Sequence, residues 1–184
     1  MKRIQRSDIV DYQTYEEIRP VFRARVMAEK DSRRIHVGSC FTFLFENELT
    51  MRYQVLEMMR VERIVRERDI IREIETYDGL LGNEGALACT LLVELDDPEQ
   101  RGNKLHEWRD LPGHIYLRMA DGRLFRPTID EGQRDDERIS SVQYLKFQIG
   151  NDVPIALGID LRGIAAETVL TEHQRAALAE DLAG

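Results

Sequence analysis

Charges on the apolar faces of helices are where chemistry is most readily concealed in this sequence, because burying an unpaired charge is costly. At about 100° per residue, Glu62 points into the sector held by Met51, Val55, Met58 and Met59. By the same count Arg25 and Glu29, one turn apart, fall among Ile18, Phe22 and Val26 of the preceding helix. Two helices then each present charge inward, and Glu62 is expected to find a cation, with Arg25 the nearest, or to stay protonated. One reading is a structural ion pair or a helix end reaching solvent. The other is an acid, base or ligand-anchoring group in a pocket between helices and sheet, with Arg25, Glu29 and Glu62 as ligand-binding residues and an anion suited to the guanidinium.

The remaining reactive side chains give less. His36, His106, His114 and His173 show neither HxH nor HExxH spacing, so no metal motif is present. His36 and Cys40 are close in sequence, but across a tight Gly38-Ser39 hairpin His36 would face Phe41, away from Cys40. Cys89 alternates with apolar residues on a strand, where cysteine behaves as a small hydrophobe. Ser39-Cys40 has no nucleophile-elbow context, and there is no GxGxxG or GxxxxGK[ST] loop, paired Glu-x-x-His motif or other cofactor signature.

Composition bounds the remaining classes. A chain of 184 residues, 42% hydrophobic and 33% charged, reads as one folded domain over 1–184. The N-terminus turns polar at once, without a signal-peptide core, and the longest apolar stretch, Ala86 to Val93, is far shorter than a membrane span. Two isolated cysteines suit a reducing compartment, so the cytoplasm is expected. A net charge of -8 argues against nucleic acid as a partner. Self-association stays open.

The elements that must position these residues are readable in outline. Thr14 and Glu17 form a candidate capping box, with Pro20 in the first turn of a helix reaching Lys30 and a buried stripe of Ile18, Val21, Phe22 and Val26. Ile35–Val37 and Cys40–Phe45 form a hairpin with Phe41, Phe43 and Phe45 on one face. Thr50 caps a second helix to about Ile64, continuing after an interruption as 69–77. Leu87–Leu95 alternates as a strand, and a short helix follows toward His106. Asp121-Gly122 predicts a type I′ turn in a second hairpin. Asp130 to Arg138 reads as a solvated loop, and 142–149 and 155–161 as strands. Ala156, Gly158 and Asp160 share a face on which something packs closely. A terminal helix runs from Thr171 through Leu182, ended by Gly184. The result is an α+β fold: a mostly antiparallel sheet with two β-hairpins, packed against two long helices of the N-terminal half and a C-terminal helix.

The segments Phe22-Arg23-Ala24-Arg25-Val26, Phe43-Leu44-Phe45-Glu46 and Tyr53-Gln54-Val55 through Glu57-Met58-Met59-Arg60-Val61-Glu62-Arg63 resemble the bacterial family named domain of unknown function 3501. The similarity continues through Ala156-Leu157-Gly158-Ile159-Asp160 and Gln174-Arg175-Ala176-Ala177-Leu178, so it covers nearly the whole chain. The resemblance implies no activity. It implies a redox neighbourhood, since members are encoded beside rubrerythrin-like and iron–sulfur oxidoreductase proteins, and hence a non-catalytic accessory or interaction protein of a redox or iron-handling system. Many relatives carry histidine after the aspartate matching Asp160, where this chain has Leu161, so no role passes from that histidine.

Overall fold

The computed structural model describes residues 2–129 and 137–183. Helix α1, Tyr12–Asp31, starts from Asp11, whose backbone is extended and whose side chain accepts the N–H groups of Gln13 and Thr14. This corrects the Thr14/Glu17 capping box: Thr14 donates its hydroxyl to Asp11 at 2.6 Å. Pro20 therefore lies inside the helix, where it removes one N–H donor. The buried face is also rotated from the expected stripe. Tyr15, Val26 and Lys30 are buried, whereas Ile18 is 44% and Val21 79% exposed.

Helix α2, Glu48–Glu62, is opened by a reciprocal pair: the Asn47 side chain accepts from the Thr50 N–H, and the Thr50 hydroxyl accepts from the Asn47 N–H. Asn47, not Thr50, is the cap. The helix stops at Arg63, whose φ of 52° is the one left-handed backbone among the described non-glycine residues. The chain then re-enters a helix as α3, Glu67–Asp78.

Strands β1 (Arg34–Val37), β2 (Phe41–Glu46), β3 (Ala86–Val93), β6 (Thr128–Ile129) and β7 (Val142–Gln148) form an antiparallel sheet in the order β1-β2-β3-β7-β6. Strands β4 (Ile115–Arg118), β5 (Leu124–Phe125), β8 (Ala156–Ile159) and β9 (Ala166–Val169) form a second one, in the order β5-β4-β8-β9. Two turns differ from expectation. Val37 pairs with Phe41, so the first loop contains Cys40 as well as Gly38 and Ser39, and His36 pairs with Thr42 instead of Phe41. In the second hairpin Gly122 has positive φ but Asp121 does not, so the turn is not type I′.

Inward side chains of both sheets, Phe41, Phe43, Phe45, Leu91 and Phe147 from the first and Ile115, Leu117, Leu157 and Ile159 from the second, make one continuous core. Helix α4 (Pro98–Glu107) contributes Leu105 to it, with Trp108 just beyond, and α5 (Glu172–Ala183) contributes Leu178. The opposite face of the first sheet is buried as well, at Thr42, Leu44, Glu46, Ala88 and Thr90. Helices α1 to α3 form a further cluster around Tyr15, Met51, Val55, Met59, Ile70 and Ile74. The fold is α+β. No described helix is long and apolar enough to cross a membrane. Gly184 and most of the charged segment after Ile129 lie outside the described residues.

Candidate functional site

The three residues expected to gather in one pocket occupy two places. Arg25 is exposed on α1 and lines a cleft of about 350 Å³ with Glu29, Arg33 and His173. Glu62 is exposed at the last turn of α2 and lines a separate cleft of about 460 Å³ with Arg63, Arg66, Arg72 and Glu73. The apolar sector of α2 is buried only as far as Met59, so the helix carries Glu62 past the residues that would have covered it. The structure thus joins Arg25 to Glu29 along one cleft, leaves Glu62 elsewhere, and makes no Arg25–Glu62 pair.

Glu29 belongs to a buried network that sequence periodicity did not show. Arg33, 3% exposed, donates from Nε and Nη2 to the two carboxylate oxygens of Asp181, both at 2.9 Å. Its Nη1 pairs with Glu29 at 2.8 Å, and Asn47 donates to the same Glu29 oxygen at 2.7 Å. Burial pushes the Asp181 carboxyl above its ordinary value and the guanidinium opposes it. Two short hydrogen bonds to a group that does not lose its proton decide for the carboxylate. The network ties together the end of α1, the start of α2 and α5.

Glu46 is the contrasting case. It is 3% exposed at the end of β2, accepts from the Thr90 hydroxyl at 2.8 Å through Oε1, and leaves Oε2 without a hydrogen-bond partner among the described residues. Burial raises its pKa, opposed by the Lys30 charge and the Thr50 and Thr90 hydroxyls. Lys30 is itself buried, its pKa lowered by that burial, and its ammonium lies 5.4 Å from the centre of the Tyr53 ring.

An exposed assembly of functional groups lies on the outer face of the second sheet. Asp160 accepts from Arg126 on both oxygens, the longer bond at 3.4 Å to Oδ1, and the same Oδ1 stands 2.8 Å from His114 Nδ1. In the neighbouring row Glu167 receives Arg118 through two hydrogen bonds, 2.9 and 2.6 Å, and the Tyr116 hydroxyl at 3.0 Å. Tyr116 pairs with Gly158, where an added Cβ would come within 2.4 Å of the ring, so glycine is what lets the phenol lie flat on the sheet. This is the close packing expected opposite Ala156 and Gly158. Leu124 (48% exposed) and Val169 (68%) complete the face.

The electrostatics favour fixed pairing over proton transfer. Hydrogen bonds from Arg126 and then His114 hold Asp160 below its ordinary value, and Arg118 does the same for Glu167. Burial and the Glu167 carboxylate raise the Tyr116 phenol, keeping it a donor. Both thiols are free and raised by burial, Cys89 strongly and Cys40 less so. No group of three or more His, Cys, Asp or Glu among the described residues is placed to hold a metal ion.

Sequence reading missed Arg33, Asp181, Glu46 and the His114/Asp160/Arg126 set. For Glu46 a signal existed, since Thr42, Leu44 and Glu46 alternate with the three phenylalanines and define the second face of β2. Nothing local says that this face is covered. The Asp160 set joins residues 46 and 34 positions apart and has no local signal.

A solved protein of unknown function from Burkholderia pseudomallei K96243 has the same fold, with 27% sequence identity, a TM-score of 0.91, and coverage of 98% of this chain and 100% of the other. No curated protein matches the chain. The family model described as a protein of unknown function, DUF3501, matches residues 3–182. The chain belongs to the DUF3501 family.

Proposed function

We propose that this protein is a cytosolic, non-catalytic accessory or interaction protein of a redox or iron-handling system, and that it meets its partner through the outer face of the second sheet. The observation that carries the docking half is the composition of that face: Tyr116, Arg118 and Arg126, flanked by exposed Leu124 and Val169. Tyrosine and arginine are the types most enriched among residues that dominate binding energy, and pre-paired guanidiniums lose less freedom on docking. The redox half rests on the family resemblance, which implies rubrerythrin-like and iron–sulfur oxidoreductase neighbours as partners. A small-molecule reading built on Arg25 with Glu62 has no comparable support, because the two line different clefts.

The test is biolayer interferometry of the purified chain against the rubrerythrin-like and iron–sulfur oxidoreductase proteins of the same genome. Saturable binding is expected, weakened at least about tenfold by Tyr116→Ala combined with Arg118→Glu. Binding to none of them removes the redox half of the proposal. Binding that the double variant leaves unchanged removes the assigned face.

A further inference from the structure

On the exposed surface of this protein arginines are commonly paired: Arg6 with Glu67, Arg19 with Glu57, Arg60 with Glu16, Arg118 with Glu167 and Arg126 with Asp160. The elbow between α2 and α3 gathers three arginines that have no such pair. Its cleft of about 460 Å³ is lined by Arg63, Arg66 and Arg72 together with Glu62 and Glu73. Among the described residues none of these five side chains forms an ion pair or a hydrogen bond, although opposite charges share one cleft. Asp69, which also lines it, is engaged by Arg68 at 3.2 Å.

The charges of the cleft act on Glu73 in opposite directions. Glu73 is half-buried, and burial together with the neighbouring Glu62 charge holds its carboxyl above the ordinary value, with the Arg72 charge opposing. A ligand ammonium between the two carboxylates adds to the relief that Arg72 gives Glu73, while three guanidiniums without an ion pair of their own favour a phosphate or carboxylate. The volume falls within the range of small-ligand sites. We propose that the α2–α3 elbow binds a small zwitterion, its anionic group held by Arg63, Arg66 and Arg72 and its ammonium by Glu62 and Glu73. This site is independent of the docking face on the second sheet, and neither stands or falls with the other.

Isothermal titration of the full chain tests it with two zwitterions that differ in their anion, phosphoethanolamine and β-alanine, and with inorganic phosphate and ethylammonium as half-ligands. At least one zwitterion is expected to bind about tenfold or more tightly than either half-ligand. Which zwitterion wins identifies the anion. Glu62→Gln with Glu73→Gln should remove that advantage while leaving phosphate binding intact, and Arg66→Gln should weaken the zwitterion and phosphate alike. Both sets of changes lie at exposed or half-buried positions, so melting curves near wild type will show that the variants are folded. Phosphate binding as tightly as both zwitterions, or no binding by either zwitterion, overturns the proposal.

Discussion

Arg33 and Glu46 are equally buried, both 3% exposed, yet their surroundings differ in kind. Arg33 has a partner for each nitrogen, drawn from α1 and α5, and its carboxylate partner Asp181 is bound at both oxygens. Glu46 has one strong donor, a neighbouring buried ammonium and one oxygen without a hydrogen-bond partner among the described residues. The first arrangement is ionised and saturated. The second is held toward its neutral form by burial, because a lone carboxylate in low dielectric lacks what guanidinium supplies to Asp181. Burial alone therefore does not set a group's role; the number and charge of its partners do.

The sharpest way to break this comparison is to strand Arg33. Asp181→Ala leaves a guanidinium buried without its bidentate partner and should cost roughly 3–5 kcal/mol, read from urea unfolding. Replacing both partners, as Arg33→Met with Asp181→Leu, should recover most of that loss. A single variant as stable as wild type would show that α5 does not depend on the pair. Asn47→Ala is expected to have the next largest effect, about 1–2 kcal/mol, since Asn47 both caps α2 and donates to Glu29. Unfolding curves superimposable on wild type would detach the cap from the network.

Glu46→Gln should have the smallest effect and the most informative pH dependence. A raised folded-state pKa means that the folded protein holds the Glu46 proton above the ordinary carboxyl value of 4.5, where the unfolded chain releases it. Its contribution to stability is thus complete below that value and is lost as pH rises through the folded-state pKa. Glutamine cannot ionise, so the stability difference between the proteins should shift in favour of the variant with rising pH. Melting temperatures measured in parallel from pH 4 to pH 8 check this, and a shift in favour of wild type would place Glu46 with the saturated pairs.

The same contrast separates what was legible in the sequence from what was not. Alternation located β3 and the three phenylalanines of β2, and the short helix expected toward His106 is α4. The short strands β6 and β9 escaped, because two and four residues carry too little periodicity to stand out. Loop length escaped too: counting Cys40 out of the first turn shifted the register by one and turned His36 from Thr42 toward Phe41. Arg33 and Asp181 stand 148 residues apart, beyond the reach of any local pattern.

The sequence by itself determined the α+β class and the two faces of most elements, since these follow from local spacing, and its matching segments carried the resemblance to the family. It did not determine which faces are covered. Glu62 lies on an apolar helical sector and is exposed, because α2 runs on past its covered residues; Glu46 lies on the second face of a strand and is buried beneath helices. Periodicity assigns a side chain to a face, but only the packing of distant segments decides whether that face meets water, and with it whether a carboxylate keeps its charge.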